Sequence, residues 1–379
     1  MTHTPSNQTI CARQIAFAAA FLLPAAKFLE APSLLAEYAK GDVLLPALLH
    51  FLTQALVLLG VLFAASMGKE PLLERMKNRL GKGIFVVYAL YALYFLFAAA
   101  LPLLDLEKFV YAAFFDTAPT AFSFYVFFFL SAFIATKGVK AVGRSADLSF
   151  FLFLFPFLAI LGMSFVEADF TRLLPLFQTE FPLISQAFMR STPHFSDAVL
   201  LLPLLLNLRY KEGDGKKIML GYGAGGLFTL LFLAVFFCIF SSIAPREHYA
   251  FSKIAQYFPA LSVVGRIDLL FVYFLSVVLL IYTCLPIQYA AQAIGRIFHT
   301  ERLTLISAIL NLALLITLLF LNKNYNAIYA LISGKLFPVF WLVADLLPLF
   351  CLFFPAEPTK AVPLNGTFKR AEKGVKHAK

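Results

Sequence analysis

Charge is what this sequence has least of. Only 14% of its 379 residues are Asp, Glu, Lys or Arg, against about 25% in an ordinary soluble domain. Acids are the scarcer sign: 21 Asp and Glu face 31 Lys and Arg, for a net charge of +10. There are four cysteines and one tryptophan. Cys11, Cys238, Cys284 and Cys351 all lie in or beside apolar runs without metal-ligand spacing, so they read as small buried hydrophobes. No zinc site, disulfide framework or other metal is expected from them. The sequence has no Gly-x-Ser-x-Gly elbow, no phosphate loop and no acidic pair suited to hydrolysis, so it offers no catalytic residues and no cofactor motif. The segment Gly221-Tyr-Gly-Ala-Gly-Gly226 superficially matches a nucleotide loop. It follows no strand and opens an apolar run, so close helix packing explains it better. The leader before Ile10 is short, polar and free of basic residues, unlike a secretory signal.

Hydrophobic length is what the sequence has in excess. Hydrophobic residues make up 61% of it and the mean hydropathy is +0.84. A membrane-spanning helix needs roughly 20 apolar residues. About ten such runs are present, near 11–38, 43–66, 83–103, 119–136, 147–166, 181–208, 217–243, 262–295, 303–321 and 325–354. The expected class is an all-α integral membrane protein with ten transmembrane helices. Residues 1–355 form one transmembrane domain and 356–379 a basic tail. Loops on the side of the N-terminus hold about three times as many Lys and Arg as those on the other side. That bias puts both termini in the cytoplasm. It also accounts for the positive charge, so nucleic acid is not needed as a partner; anionic membrane lipids suffice. The segment Pro71–Leu80 has helical apolar spacing and a basic opposite face, as expected of a short helix lying on the membrane surface in contact with headgroups.

Two of the ten runs are interrupted, at matching places in the two halves. The first is broken at Leu23-Pro24-Ala25-Ala26-Lys27 and the sixth at Ser191-Thr192-Pro193-His194-Phe195-Ser196-Asp197. Proline lacks a backbone donor and clashes with the preceding turn. In lipid such breaks survive only against protein or a cavity. Paired breaks point to a five-plus-five inverted repeat with a binding site at the bilayer midplane. Each break carries a charge, Lys27 in one and Asp197 in the other. A lysine at the centre of a span costs about 2.5–3.5 kcal/mol on insertion scales, so such groups face the interior and mark function. Lys27 could pair locally with Glu30, and Asp197 could cap the second half of the sixth span. Across the fold, the two should face one cavity. The ligand-binding candidates are therefore Pro24, Ala25, Ala26, Lys27, His194, Phe195, Ser196 and Asp197, with Tyr94 of the third span as a wall. His194 could also relay protons. Arg266 and Asp268, near the start of the eighth span, are read as a gate or structural ion pair. Lys335 and Asp345 are ten residues apart, too far to pair along a helix, and carry no assigned role.

Three stretches resemble the B subunits of spore germinant receptors, the endospore germination permease family of the amino acid–polyamine–organocation transporter superfamily. One is Asp169, Leu173 and Pro175 in the stretch after the fifth span. Another is Arg266-Ile-Asp268. The third is Asp197, the apolar run Ala198–Leu202, Pro203 and the basic turn Arg209–Lys217. The first-span break departs from the family's small Gly-x-Gly-like stretch, as does the aliphatic run around Leu275, where a tryptophan is frequent. The resemblance implies a LeuT-like fold with helices one and six broken. It further implies a receptor subunit in the spore inner membrane that binds a small nutrient, usually an amino acid, alongside A and C subunits. The alternative is a proton-coupled amino-acid or amine transporter of the same fold.

Overall fold

Helices account for the regular structure of this computed structural model. It describes residues 10–68, 70–114, 139–257, 268–300, 302–321 and 337–353, with scattered positions at 125–134 and 324–334. The helices are α1 (Ala12–Lys27), α2 (Ala31–Ala39), α3 (Leu44–Ser66), α4 (Leu72–Leu80) and α5 (Ile84–Phe114). They continue with α6 (Val139–Glu167), α7 (Phe181–Phe195), α8 (Asp197–Leu206), α9 (Asp214–Phe240), α10 (Ala250–Tyr257), α11 (Asp268–Ile297), α12 (Leu303–Leu321) and α13 (Phe337–Trp341). Among the described residues the only β pairing is an isolated parallel bridge between Ile10 and Leu208. Among the described residues six helices are long and apolar enough to cross a membrane, or seven if the bent pair Ala12–Lys27 and Ala31–Asp42 is one span. The expected fourth span lies mostly outside the described residues. So do the first part of the tenth and the 356–379 tail.

The first break is real but displaced from its expected position. The chain stays helical through Pro24 and Lys27, then breaks at Phe28–Glu30 and bends by 63°. Pro24 is accommodated because the preceding Ala18–Leu22 turn is a π-helix in which the Leu23 amide bonds to the Ala18 carbonyl. That wider turn absorbs the ring where an α-turn would clash. The carbonyls freed by the bend find donors elsewhere. Phe28 and Leu29 carbonyls accept from the amides of Phe251 and Ala250, the opening residues of α10. Two sets of unpaired groups, a broken helix and a helix N-terminus, thus satisfy each other away from water.

The second break is a single residue. Ser196, at φ −76° and ψ 59°, ends α7 and starts α8. Its hydroxyl donates to the Thr192 carbonyl at 3.0 Å. Gln54 of α3 accepts from the Ala198 amide at 3.0 Å, closing the N-terminus of α8. Asp197 is therefore the first residue of α8 and makes no capping bond of its own, contrary to the capping role expected of it.

Close packing sets where α1 runs. A Cβ on Gly221 or Gly225 would collide with the backbone of Ala16 or Ala19, so α9 lies directly on α1. Beside this contact a phenylalanine stack fills the core: Phe28 and Phe232 rings lie 4.1 Å apart, with Phe153, Phe157 and Phe251 around Phe28. Helix α4 occupies the expected surface segment, but it is no free-lying headgroup helix. Leu72, Arg75 and Met76 are buried, and Arg75 donates to the Ala64 carbonyl at 2.7 Å. The guanidinium thereby caps the end of α3.

On the opposite side, two clasps hold the loop after α6. Asp42 accepts from the amides of Phe177 and Thr179 at 2.6 and 2.8 Å. Arg172 bonds to Asp169 at 3.2 Å and to the Ile239 carbonyl at 3.0 Å, at the end of α9.

Candidate functional site

Lys27 stands in the last turn of α1 and Asp197 in the first turn of α8. The two helix ends meet, and Lys27 Nζ lies 2.6 Å from Asp197 Oδ1 with both side chains almost wholly buried, 2% and 3% exposed. Each charge also suits its own helix: a cation at a C-terminus and an anion at an N-terminus are both favoured by the helix dipole. Lys27 also donates to the Leu23 carbonyl at 3.3 Å. The faces of Phe195 and Phe51 surround the ammonium, at 5.4 and 5.9 Å. Asp197 Oδ2 accepts from the Tyr222 hydroxyl of α9 at 3.3 Å. The local Lys27–Glu30 pairing is absent: Glu30 instead bonds His248 at 2.9 Å.

A polar network surrounds this pair. Gln54 both caps α8 and donates to Asp345 Oδ1 at 2.7 Å. His50, one turn before Gln54, is buried between the rings of Phe188 and Phe195, at 4.0 and 4.6 Å. Its Nε2 lies 2.9 Å from the Phe188 carbonyl and 3.0 Å from Ser191 Oγ. Tyr94 of α5 is buried and hydrogen-bonds the Ser196 side chain at the break. The arrangement joins α1, α3, α5, α7, α8 and α9 at one point, with a positive and a negative group side by side.

The sequence matches the model of a family described as spore germination protein, the spore permeases, over residues 9–326. The chain belongs to that family. Comparison with curated proteins gives no match. Among solved structures, this spore permease is similar in fold to a manganese transporter from Eremococcus coleocola, in two single-substitution forms. One has TM-score 0.51 and 14% identity, covering 90% of this chain and 78% of that one. The other has TM-score 0.52 and 14% identity, covering 94% and 80%. At that identity the likeness is one of fold alone.

Within this permease, the candidates fall into four groups. Lys27, Phe195, Ser196, Asp197 and Tyr94 converge on the meeting of α1 and α8. Pro24, Ala25 and Ala26 belong to the last turns of α1, inside the helix and not in an unwound stretch; Pro24 also touches the ground where Gly225 packs. His194 lies in the last turn of α7. Arg266 lies outside the described residues, and of Asp268 only its place at the start of α11 is described. Three polar residues of the network, His50, Gln54 and Tyr222, are not among the sequence candidates, and a fourth, Asp345, has no role assigned there. The signal was present for two of them. His50 and Gln54 are four apart on one face of an otherwise apolar span. Asp345, set aside for lack of a neighbour on its own helix, has its partner across the bundle. Tyr222 was hidden inside the glycine-rich stretch.

Proposed function

We propose that this chain is the membrane-embedded subunit of a spore germinant receptor and binds a small zwitterionic nutrient, an amino acid or close analogue, between α1 and α8. The observation that carries the reading is the buried Lys27–Asp197 pair at the junction of two broken helices, in a member of the spore germination family. A zwitterion brings its own two charges. Its carboxylate replaces Asp197 at the Lys27 ammonium, and its amine replaces Lys27 at the Asp197 carboxylate. Each protein charge exchanges one buried partner for another, so ligand entry strands neither. The aromatic faces of Phe51 and Phe195 and the Tyr222 hydroxyl then line the ligand. In this reading ten spans form a five-plus-five inverted repeat, both termini are cytoplasmic, and A and C subunits of the receptor complete the assembly in the spore inner membrane.

Binding by the purified chain in lipid nanodiscs, read as thermal stabilisation across a panel of amino acids, tests the site. A ligand at 100 times its Kd should stabilise by about 2.7 kcal/mol. Asp197→Asn should abolish the effect of any ligand bearing an amine. A panel without a stabilising member, or an unchanged response in Asp197→Asn, refutes the site. A second reading, a proton-coupled amino-acid or amine transporter, draws support from the transporter fold of the structural neighbours. Uptake of labelled amino acids into proteoliposomes by this chain alone favours it. Genes for A and C receptor subunits flanking this one favour the receptor.

A further inference from the structure

We propose a second binding site in this protein, for a small monovalent anion such as a halide or a short carboxylate, in the cavity among α4, α5, α8 and α11. The cavity holds about 30 Å³, more than the roughly 10–15 Å³ on this measure that a single water needs. Its polar lining comes from Tyr88, Tyr91, Asn207, Tyr289, Gln292 and Arg296. It shares no residue with the Lys27–Asp197 network, and the inference does not rest on the function proposed for that pair.

This cavity is lined by a cation and several neutral donors, and no carboxylate is among its lining residues. Arg296 is a cation with no carboxylate partner among the described residues. Its contacts are the Asn207 Oδ1 at 3.4 Å and Tyr88, whose side chain it hydrogen-bonds and whose ring centre lies 5.6 Å away, both neutral groups. The Tyr289 hydroxyl and Gln292 Nε2 are buried without a hydrogen-bond partner, and both residues line the cavity. They are 2% and 9% exposed. Tyr289, Gln292 and Arg296 recur at helical spacing, on one face of α11. A guanidinium, an amide N–H and a hydroxyl, all on residues that line one small space, suit a negatively charged acceptor once the two unpartnered side chains turn toward it. The bound anion would also meet Pro203 and Leu206 of α8, which line the same cavity. Asp197 begins that helix, so the anion holds the far end of the element that presents one half of the central ion pair.

The test uses the full chain in nanodiscs of neutral lipid. Its thermal midpoint is followed against sodium chloride, sodium acetate and glycine, with sodium gluconate holding ionic strength constant. The midpoint should rise saturably with chloride or acetate. Response to both means a general anion site; response to acetate alone, a carboxylate site. In Arg296→Gln the saturable rise should vanish. Tyr289→Phe and Gln292→Leu remove unsatisfied groups, so they should fold at least as well without anion. Each should shift the half-maximal anion concentration upward about fivefold, the worth of one hydrogen bond. A response to glycine that is lost in Asp197→Asn, with none to chloride or acetate, places binding at the central pair and overturns the proposal. Absence of any saturable rise, or the same rise in all three cavity variants, overturns it too.

Discussion

Replacing Lys27 by alanine leaves the Asp197 carboxylate in the core of the bundle with only the Tyr222 hydroxyl, 3.3 Å away, to balance it. Replacing Asp197 leaves the ammonium better served. It keeps the Leu23 carbonyl at 3.3 Å and two aromatic faces at 5.4 and 5.9 Å, and a desolvated cation–π contact contributes up to about 2 kcal/mol. Removing one member of a buried pair costs about 3–5 kcal/mol, much of it from the stranded partner. Lys27→Ala should therefore fall near the top of that range and Asp197→Ala near the bottom. The double variant strands nothing, so its cost should be no larger than that of the worse single change. The coupling in the double-mutant cycle should then reach about 3 kcal/mol, beyond the 0.5 kcal/mol scatter of independent sites. Reversible unfolding of the purified chain in detergent, with all four proteins under one condition, measures it. Additive losses would refute the claim that these charges hold each other in place. So would equal losses in the two single variants, which would mean the rings and the Leu23 carbonyl contribute nothing to the lysine.

The bond from Glu30 raises the affinity of His248 for its proton, and His248 lies in the loop before α10. The stability this adds is complete below about pH 6.5 and is lost as pH rises through the raised value of the folded state. Protection against hydrogen exchange at Phe28–Ala31, measured relative to the intrinsic rate at each pH, should accordingly fall at alkaline pH in the native chain and lose that fall in His248→Gln; the same fall in the variant defeats the assignment. Burial works against ionisation of Asp42, but the Thr179 and Phe177 amide bonds outweigh it and leave its carboxyl easier to ionise than usual. Its clasp on the loop after α6 should persist above about pH 4 and fail as pH falls through its lowered value, which proteolysis within residues 174–180 can follow. Gly225→Val should lose about 1–3 kcal/mol or more from overpacking against α1, while Gly223→Ala, with open space around it, should be neutral in the same unfolding assay.

What the sequence discloses, and what it hides, divides along the line between local and cross-bundle chemistry. The two interruptions are legible because proline and charge stand out in an apolar run. Their positions are not. The π-turn Ala18–Leu22 lets Pro24 stay inside a helix, and no spacing rule announces a π-turn. The bend falls instead at Phe28–Glu30, where the α10 amides wait to receive freed carbonyls, a match made by residues more than two hundred positions apart. Arg75 shows the same limit. Its basic neighbours and the helical period of Pro71–Leu80 suggest a headgroup-facing side chain, and only the fold brings the Ala64 carbonyl to it. Asp345 looks isolated on its own helix, yet Gln54 reaches it from α3. In lipid-facing proteins a lone polar residue inside an apolar span is better read as half of an unseen contact than as a residue without a role.

The ligand role proposed for the central pair would also explain why that contact is ionic. As a fixed cross-link, a buried ion pair is a poor choice, since apolar residues of similar size often serve stability as well or better. Here the two charges sit on the facing ends of two different helices, each next to a backbone break whose freed groups are satisfied by a third element: α10 at the first break, Gln54 at the second. Both breaks therefore leave few backbone groups stranded, and the charges meet where the broken helices meet. A molecule that separates Lys27 from Asp197 by inserting between them must move the end of α1 against the start of α8. Because the Gln54 amide bridges α8 to Asp345, that motion is passed to the last described helical segment. Gln54→Leu breaks the bridge while leaving Lys27 and Asp197 paired. If ligand signals travel by this route, the variant should keep nutrient binding yet lose the ligand-dependent change in accessibility of a cysteine placed at Leu346. An unchanged accessibility response would place the coupling elsewhere.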